Sequence, residues 1–268
     1  MSPATAPRLR VCAVSYLNTL PLVWGILRGP QRGLFDLDFQ VPAECADRLA
    51  SGDADLGIVP SFELTRQDLT VVPGVGIASH GPVRSILLVA SRPPAEIRTL
   101  AADSSSRTSV QLARVVLERR YGASPVIAPH APDLHAMLRV ADAALLIGDP
   151  ALRIDIGRGP CRIYDLGAEW GAMTGLPMVF AVWAGRKDAV TPEVTAAFRD
   201  SCRYGRERIE EIVACEAPRR HFPPELIREY LTQRIVHELG PRDYEGMNLF
   251  LRYAGQAVPG RERRETAV

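Results

Sequence analysis

The sequence has no apolar run approaching the roughly twenty residues that a membrane-spanning helix needs. It also lacks an excess of charge: 32 Lys and Arg oppose 31 Asp and Glu, for a formal net charge of +1. That near-balance supplies no electrostatic footprint for nucleic acid, and the Arg-rich ends are too short and too mixed in sign to make one. Met1 to Arg10 is rich in Pro and Ala, with no apolar core of roughly 7–15 residues ahead of a small-residue cleavage site, so a cytoplasmic protein is expected. Cysteine is sparse. Cys12, Cys45, Cys161, Cys202 and Cys215 are odd in number, widely spaced and without a C-x-x-C pair, which argues against a disulfide framework and against a zinc site. Buried thiols are the expectation. The His residues are scattered too, and His130 and His135, separated by Pro132, do not share a helix face. No metal and no cofactor are expected.

What is present is a chain of 268 residues, 47% hydrophobic and 24% charged, long enough for one large globular domain or two smaller ones. Strand-like and helix-like runs alternate from the start. Leu9 to Ser15 reads as a strand, Leu22 to Leu27 as a helix with Pro21 in its first turn, and Leu37 to Val41 as a second strand. Pro42 to Ala50 follows as a helix, then the turn Ser51-Gly52-Asp53 and a third strand, Ala54 to Pro60. Such βαβαβ alternation gives a parallel sheet with helices on both faces. Leu69 to Ala78 and Val83 to Ala90 are two more strands, and Arg92-Pro93-Pro94 reads as a domain crossing.

A second series then runs through Arg98 to Ala102, a helix from Ser106 to Tyr121, Pro125 to Ala128, Leu134 to Val140, Ala143 to Ile147 and Cys161 to Leu166. Leu176 to Ala184 is a continuous apolar strand long enough to return the chain to the first unit. From Thr191 onward the pattern is helical, over Pro192 to Cys215, Pro224 to Ile235 and Tyr244 to Tyr253, and Arg261 to Val268 reads as a frayed end. The expected lobes are therefore residues 1–91 with 186–268, and residues 92–185, with a ligand cleft between them.

Candidate site residues fall where strands end, the edge at which open α/β sheets bind ligands. The stretch Asp103 to Ser109 joins a strand to a helix that Gly122 closes. Its hydroxyls and the Arg107 fork stand at the positive end of the helix, which reads either as an ordinary cap or as a cradle for a carboxylate. Ser15, Tyr16 and Asn18 follow the first strand; Asn18 is either a cap or a neutral amide that both donates and accepts. Ser61 ends the third strand. Ser85 lies inside a strand and could face a cleft. Gly148 lets backbone approach a ligand, and Asp149 is either a cap ahead of Pro150 or a functional carboxylate. This donor set of hydroxyls, amide and dipole suits a small, oxygen-rich anion.

Five stretches then carry a resemblance: V-S-Y-L-N-T-L-P-L (Val14 to Leu22), D-A-D-L-G-I-V-P (Asp53 to Pro60), D-S-S-S-R-T-S (Asp103 to Ser109), I-G-D-P-A-L (Ile147 to Leu152) and G-L-P-M-V-F-A-V-W (Gly175 to Trp183). Together they resemble the chorismate dehydratase family of the futalosine route to menaquinone, in order and over nearly the whole chain. The resemblance implies an α/β, two-lobed type II periplasmic-binding-protein-like fold, each lobe a mixed sheet flanked by helices, with a helical C-terminal segment. It also implies removal of water from chorismate to give 3-[(1-carboxyvinyl)oxy]benzoate, assisted by the substrate's own carboxylate.

On that reading Asn18 and Asp149 are the candidate catalytic residues. Ser15, Tyr16, Ser61, Ser85, Ser105, Ser106, Arg107, Thr108 and Gly148 bind substrate, with the stretch from Ser105 to Thr108 holding one carboxylate. The partner is a small molecule, with no nucleic acid and no membrane, and a homodimer is left open. A sibling enzyme on the same fold, 1,4-dihydroxy-6-naphthoate synthase, has a Pro-Cys-Pro-Asn-type stretch and a His where this chain has Ser15-Tyr16-Leu17-Asn18, which favours the dehydratase. A non-catalytic solute binder or sensor for a small carboxylate is the competing class, since fold does not fix function.

Overall fold

The computed structural model describes residues 8–157 and 160–256. The frayed end expected at 261–268 and most of the Pro/Ala-rich start lie outside the described residues. In chain order the elements are β1 (Arg10–Val14), α1 (Leu20–Arg28), β2 (Asp36–Gln40), α2 (Pro42–Ser51), β3 (Leu56–Pro60), β4 (Thr70–Ser79) and β5 (Ile86–Ala90). Next come β6 (Thr99–Asp103), α3 (Arg107–Tyr121), β7 (Val126–His130), α4 (Leu134–Val140), β8 (Ala143–Ile147), α5 (Gly148–Leu152), β9 (Arg162–Asp165) and α6 (Leu166–Thr174). The chain ends with β10 (Met178–Gly185), α7 (Pro192–Arg206), α8 (Ile209–Arg220), α9 (Pro224–Glu229), β11 (Val236–Glu238) and α10 (Pro241–Gly255).

Local chemistry accounts for the element ends. Pro21 and Pro42 occupy first-turn positions of α1 and α2, where the missing N–H costs nothing. The α3 helix starts on Ser106, whose side chain accepts from the Ser109 N–H, and stops at Gly122 in the left-handed region. β3, β5, β8 and β10 are buried along their whole length, as expected of strands covered on both faces.

The strands form two mixed sheets flanked by helices. One has the order β11-β4-β10-β3-β1-β2, the other β7-β6-β8-β5-β9. In each, one strand donated by the opposite series lies antiparallel in the sheet. β10 sits between β3 and β4, and β5 sits between β8 and β9. The chain therefore crosses between sheets twice, after Ser79 and again between Thr174 and Met178. That moves both crossings from the expected positions near Arg92 and near Trp183 to Arg186. Arg92-Pro93-Pro94 breaks the chain only into a short 3-10 turn, Pro94–Glu96, between two strands of one sheet. A Pro pair marks where backbone pairing stops but carries no information about which sheet the preceding strand joins.

Two helical expectations are also revised. The run from Pro192 to Cys215 is not one helix, because Arg208 leaves helical geometry, with φ −123° and ψ 34°, and its side chain returns to the Tyr204 carbonyl (3.3 Å). Gly205 stands just before the break, and a Cβ there would lie 2.2 Å from the Pro21 carbonyl oxygen, so only glycine lets α7 lie this close to α1. The run from Pro224 to Ile235 turns at Tyr230–Arg234 into a wider π-turn, which leads to the short strand β11 that periodicity did not reveal. Trp183 and Phe198 meet edge to face (4.6 Å) in the core on the α7 side of the six-stranded sheet.

Candidate active site

The carboxyl ends of β1, β3 and β4 face the carboxyl ends of β6 and β8, and a cavity lies between them. Because β5 and β10 run antiparallel, their beginnings reach the same place and bring in Ile86 and Phe180. The apolar wall includes Val14, Ile77, Ile147 and Phe180, and the polar groups at the wall are Tyr16, Asn18, Ser85, Ser106 and Ser109. Among the described residues, no charged side chain lines it.

Each polar group is held by a neighbour. Tyr16 and Ser105 place their hydroxyl oxygens 3.0 Å apart, and burial pushes the Tyr16 phenol up to about 12. Asn18 sits in the 3-10 turn Leu17–Thr19, and its backbone carbonyl accepts from Nε2 of His237 (2.8 Å), which fixes the turn that presents the amide. The Ser85 Oγ accepts from the Tyr230 hydroxyl (2.8 Å). Ser106 and Ser109 pair their hydroxyls at 3.0 Å in the first turn of α3. Gly148 donates its N–H to the Ser85 carbonyl (2.8 Å) and has φ +58°.

Ser85 owes its place to an unusual turn. The residue before it, Arg84, has φ +67°, uncommon for a side chain of that size. Asp165 accepts the N–H groups of Val83 (2.9 Å) and Arg84 (2.6 Å), as well as those of Gly167 and Ala168 at the start of α6. The Arg84 guanidinium meanwhile satisfies the carbonyls of Ala151, Leu152 and Ile154 at the end of α5. The strained residue is thus fixed at both its backbone and its side chain.

Of the residues singled out in the sequence, Tyr16, Asn18, Ser85, Ser106 and Gly148 converge on the cavity. The others do not line it. Ser15 is exposed and borders a separate depression beside Trp24 and Arg220. Arg107 turns away from the cavity to Asp47 (2.7 Å) and to Glu63 (3.1 Å). Glu63 is only 1% exposed, and a buried carboxylate draws the nearest guanidinium. Thr108 accepts the Phe62 N–H (3.0 Å), and Ser61 donates to the Val179 carbonyl (2.8 Å). Asp149 accepts the Leu17 N–H (3.0 Å) and pairs with Arg220, which also bonds Glu216 and the Ser15 carbonyl.

Arg107, Thr108 and Asp149 join the two sheets around the cavity rather than furnish it. Arg107 and Thr108 bind across to residues between β1 and β4, as Asp149 does to Leu17. Ser105 also contributes from outside, through Tyr16 and by accepting the Ala43 N–H (2.9 Å). Sequence reasoning passed over Tyr230 and His237 entirely, since neither lies in a motif. Ser109 was within reach, because it ends the polar stretch and stands three residues after the cap.

The sequence model for the menaquinone biosynthesis family matches residues 9–256. A chorismate dehydratase of Thermus thermophilus is 32% identical over 233 residues, covering 80% of this chain and 85% of the relative. Another, from Campylobacter jejuni, is 24% identical over 247 residues, covering 89% of this chain and 94% of the relative. Among solved structures, a protein of Archaeoglobus fulgidus is similar with a TM-score of 0.69 at 16% identity, over 94% of this chain and 96% of that one. The periplasmic aliphatic sulphonate binding protein SsuA of Escherichia coli has a TM-score of 0.63 at 19% identity, over 93% and 91%. At such identities the structural likeness concerns the fold.

Proposed function

The chain belongs to the menaquinone biosynthesis family, and from that premise we propose that it is a cytoplasmic chorismate dehydratase, an enzyme that removes water from chorismate to give 3-[(1-carboxyvinyl)oxy]benzoate. The observation that carries the reading is a pocket between the two sheets whose wall, among the described residues, has no charged side chain, furnished with hydroxyls and an amide and adjoined by a helix N-terminus. A small dianion with many oxygens matches that set. Its carboxylates are held by neutral donors and the α3 dipole, without an ion pair that would have to be broken on release.

The roles follow from position. Ser106 and Ser109, with the first-turn N–H groups of α3, receive one carboxylate. Asn18 and Ser85, on the opposite wall, orient the departing ring hydroxyl. A proton must leave the adjacent ring carbon as the C–O bond breaks, and a base must lie within hydrogen-bonding reach of it. Asp149, the candidate catalytic carboxylate of the protein, is engaged by the Leu17 N–H and Arg220. In our reading the enolpyruvyl carboxylate of the substrate takes the ring proton and passes it to the departing hydroxyl. Water leaves, the ring becomes aromatic, and no net proton is exchanged with the protein. The enzyme contributes orientation, exclusion of solvent and fixed dipoles.

The two sheets with their helices act as lobes that close on the substrate, and the ties through Arg107, Thr108 and Asp149 hold the closed form. The decisive experiment incubates purified protein with chorismate and follows ultraviolet absorbance and product mass. Loss of one water with the rise of a benzoate spectrum is expected. Chorismate bound but recovered unchanged would overturn the enzyme reading in favour of a solute binder.

A further inference from the structure

Behind Ser85 and Asn18 stands a layer of side chains that the reaction above does not use. Tyr230 opens the π-turn after α9, and His237 lies in β11, so both come from one short segment of the chain. Tyr230 is 1% exposed and His237 3% exposed. The His237 Nε2 faces the backbone carbonyl of Asn18, which only accepts, so this nitrogen carries the proton and donates to it. Tyr230 makes the corresponding contact with Ser85, donating its hydroxyl to Oγ at 2.8 Å.

A serine hydroxyl has two lone pairs and one hydrogen. With Tyr230 donating from behind, the Ser85 oxygen acts as acceptor on its buried side. Its own hydrogen is then left for whatever occupies the cavity that Ser85 lines. The reverse arrangement, Ser85 donating to Tyr230, would present a lone pair to the departing hydroxyl and would not help it leave.

We propose that Tyr230 is a positioning residue for the dehydration, its hydroxyl holding Ser85 as a hydrogen-bond donor toward the departing hydroxyl of the substrate. This rests on the dehydratase reading of the site. Tyr230 does not supply a proton itself. Burial raises its pKa from the ordinary phenol value, so the phenolate that proton donation would leave is disfavoured there. The wider π-turn begins at this residue, consistent with a local backbone irregularity retained to aim one side chain.

The test is a kinetic cycle on Tyr230→Phe, Ser85→Ala and the double variant. Tyr230→Phe removes one oxygen and keeps the ring. It is expected to lower kcat about tenfold while KM stays within about twofold of the parent, because the lost interaction matters only as the hydroxyl departs. In the Ser85→Ala background the same change is expected to cost less than about twofold, since the group it positions is gone. Chorismate affinity by calorimetry, expected to be unchanged, checks that the cavity is intact.

Equal losses in both backgrounds would overturn the proposal, as would full kcat in Tyr230→Phe. A Tyr230→Phe protein that fails to fold would make the hydroxyl a structural group and overturn it too. A parent protein that binds chorismate without turning it over overturns the dehydratase reading instead, so the two failures are told apart by the first assay.

Discussion

A Cβ added to Gly148 would lie 2.6 Å from Cδ2 of Tyr16. The turn that ends β8 in one sheet is therefore in contact with the loop that ends β1 in the other, and the cavity is shaped where they meet. Gly148 also has φ +58°, so both its backbone and its missing side chain are used.

Gly148→Ala combines a left-handed alanine with a collision against the Tyr16 ring. A loss of about 1–3 kcal/mol in stability is expected. Turnover should fall at least about tenfold as Tyr16 moves away from Ser105. Thermal melting and steady-state kinetics check both, and parental values for both would show that the contact is not maintained in solution.

Arg107→Met separates two readings of the polar stretch. If Arg107 held a substrate carboxylate, its loss would weaken chorismate binding by about a hundredfold or more. The structure instead places it on Glu63 and Asp47, and Arg66 (3.3 Å) and Gln67 (3.0 Å) also contact Glu63. The expected result is a stability loss of about 1–2 kcal/mol in chemical denaturation. The dissociation constant should change by less than about threefold.

Asn18→Asp puts a carboxylate into a cavity that, among the described residues, has no cation on its wall. It would face a dianionic substrate. Turnover is expected to fall about a hundredfold or more, with little change in the melting temperature. A variant with parental kinetics would remove Asn18 from the reacting centre.

Acid should weaken the fold through His237. Burial pushes this imidazole down to about 4, against 6.5 for the free side chain. Between those values the unfolded chain binds a proton that the folded chain does not, so stability falls as pH drops from about 6.5 toward 4 and is level above about 7. The total contribution is about 3 kcal/mol. His237→Gln retains a donor for the Asn18 carbonyl and should flatten that part of the profile. Denaturant unfolding of both proteins across this range is the measurement, and identical slopes would show that His237 is not the group responsible.

The elements that carry the site were readable because their signals are local. β3 and β8 are short apolar runs bounded by turn residues, and α3 is bracketed by Ser106 and Gly122. Tyr16, Asn18, Ser85, Ser106 and Gly148 could be named because each ends or interrupts such a run. The direction of Arg107 could not. A guanidinium at a helix start serves a ligand or a carboxylate equally well by sequence, and Glu63 lies 44 residues away. Tyr230 and His237 were invisible for the same reason, reaching Ser85 and Asn18 across 145 and 219 residues.

By itself, the order of residues along this chain determined the alternation of strands and helices, the helix ends and the polar character of the loops where strands stop. Those depend on side-chain periodicity, on Pro and Gly geometry, and on hydroxyl caps, all acting within a few residues. Which sheet β5 and β10 join, which way Arg107 and Asp149 turn, and what stands behind Ser85 were decided only in three dimensions. Each is a choice among partners far apart in sequence, and it is settled by which buried donor, acceptor or charge would otherwise be left without one.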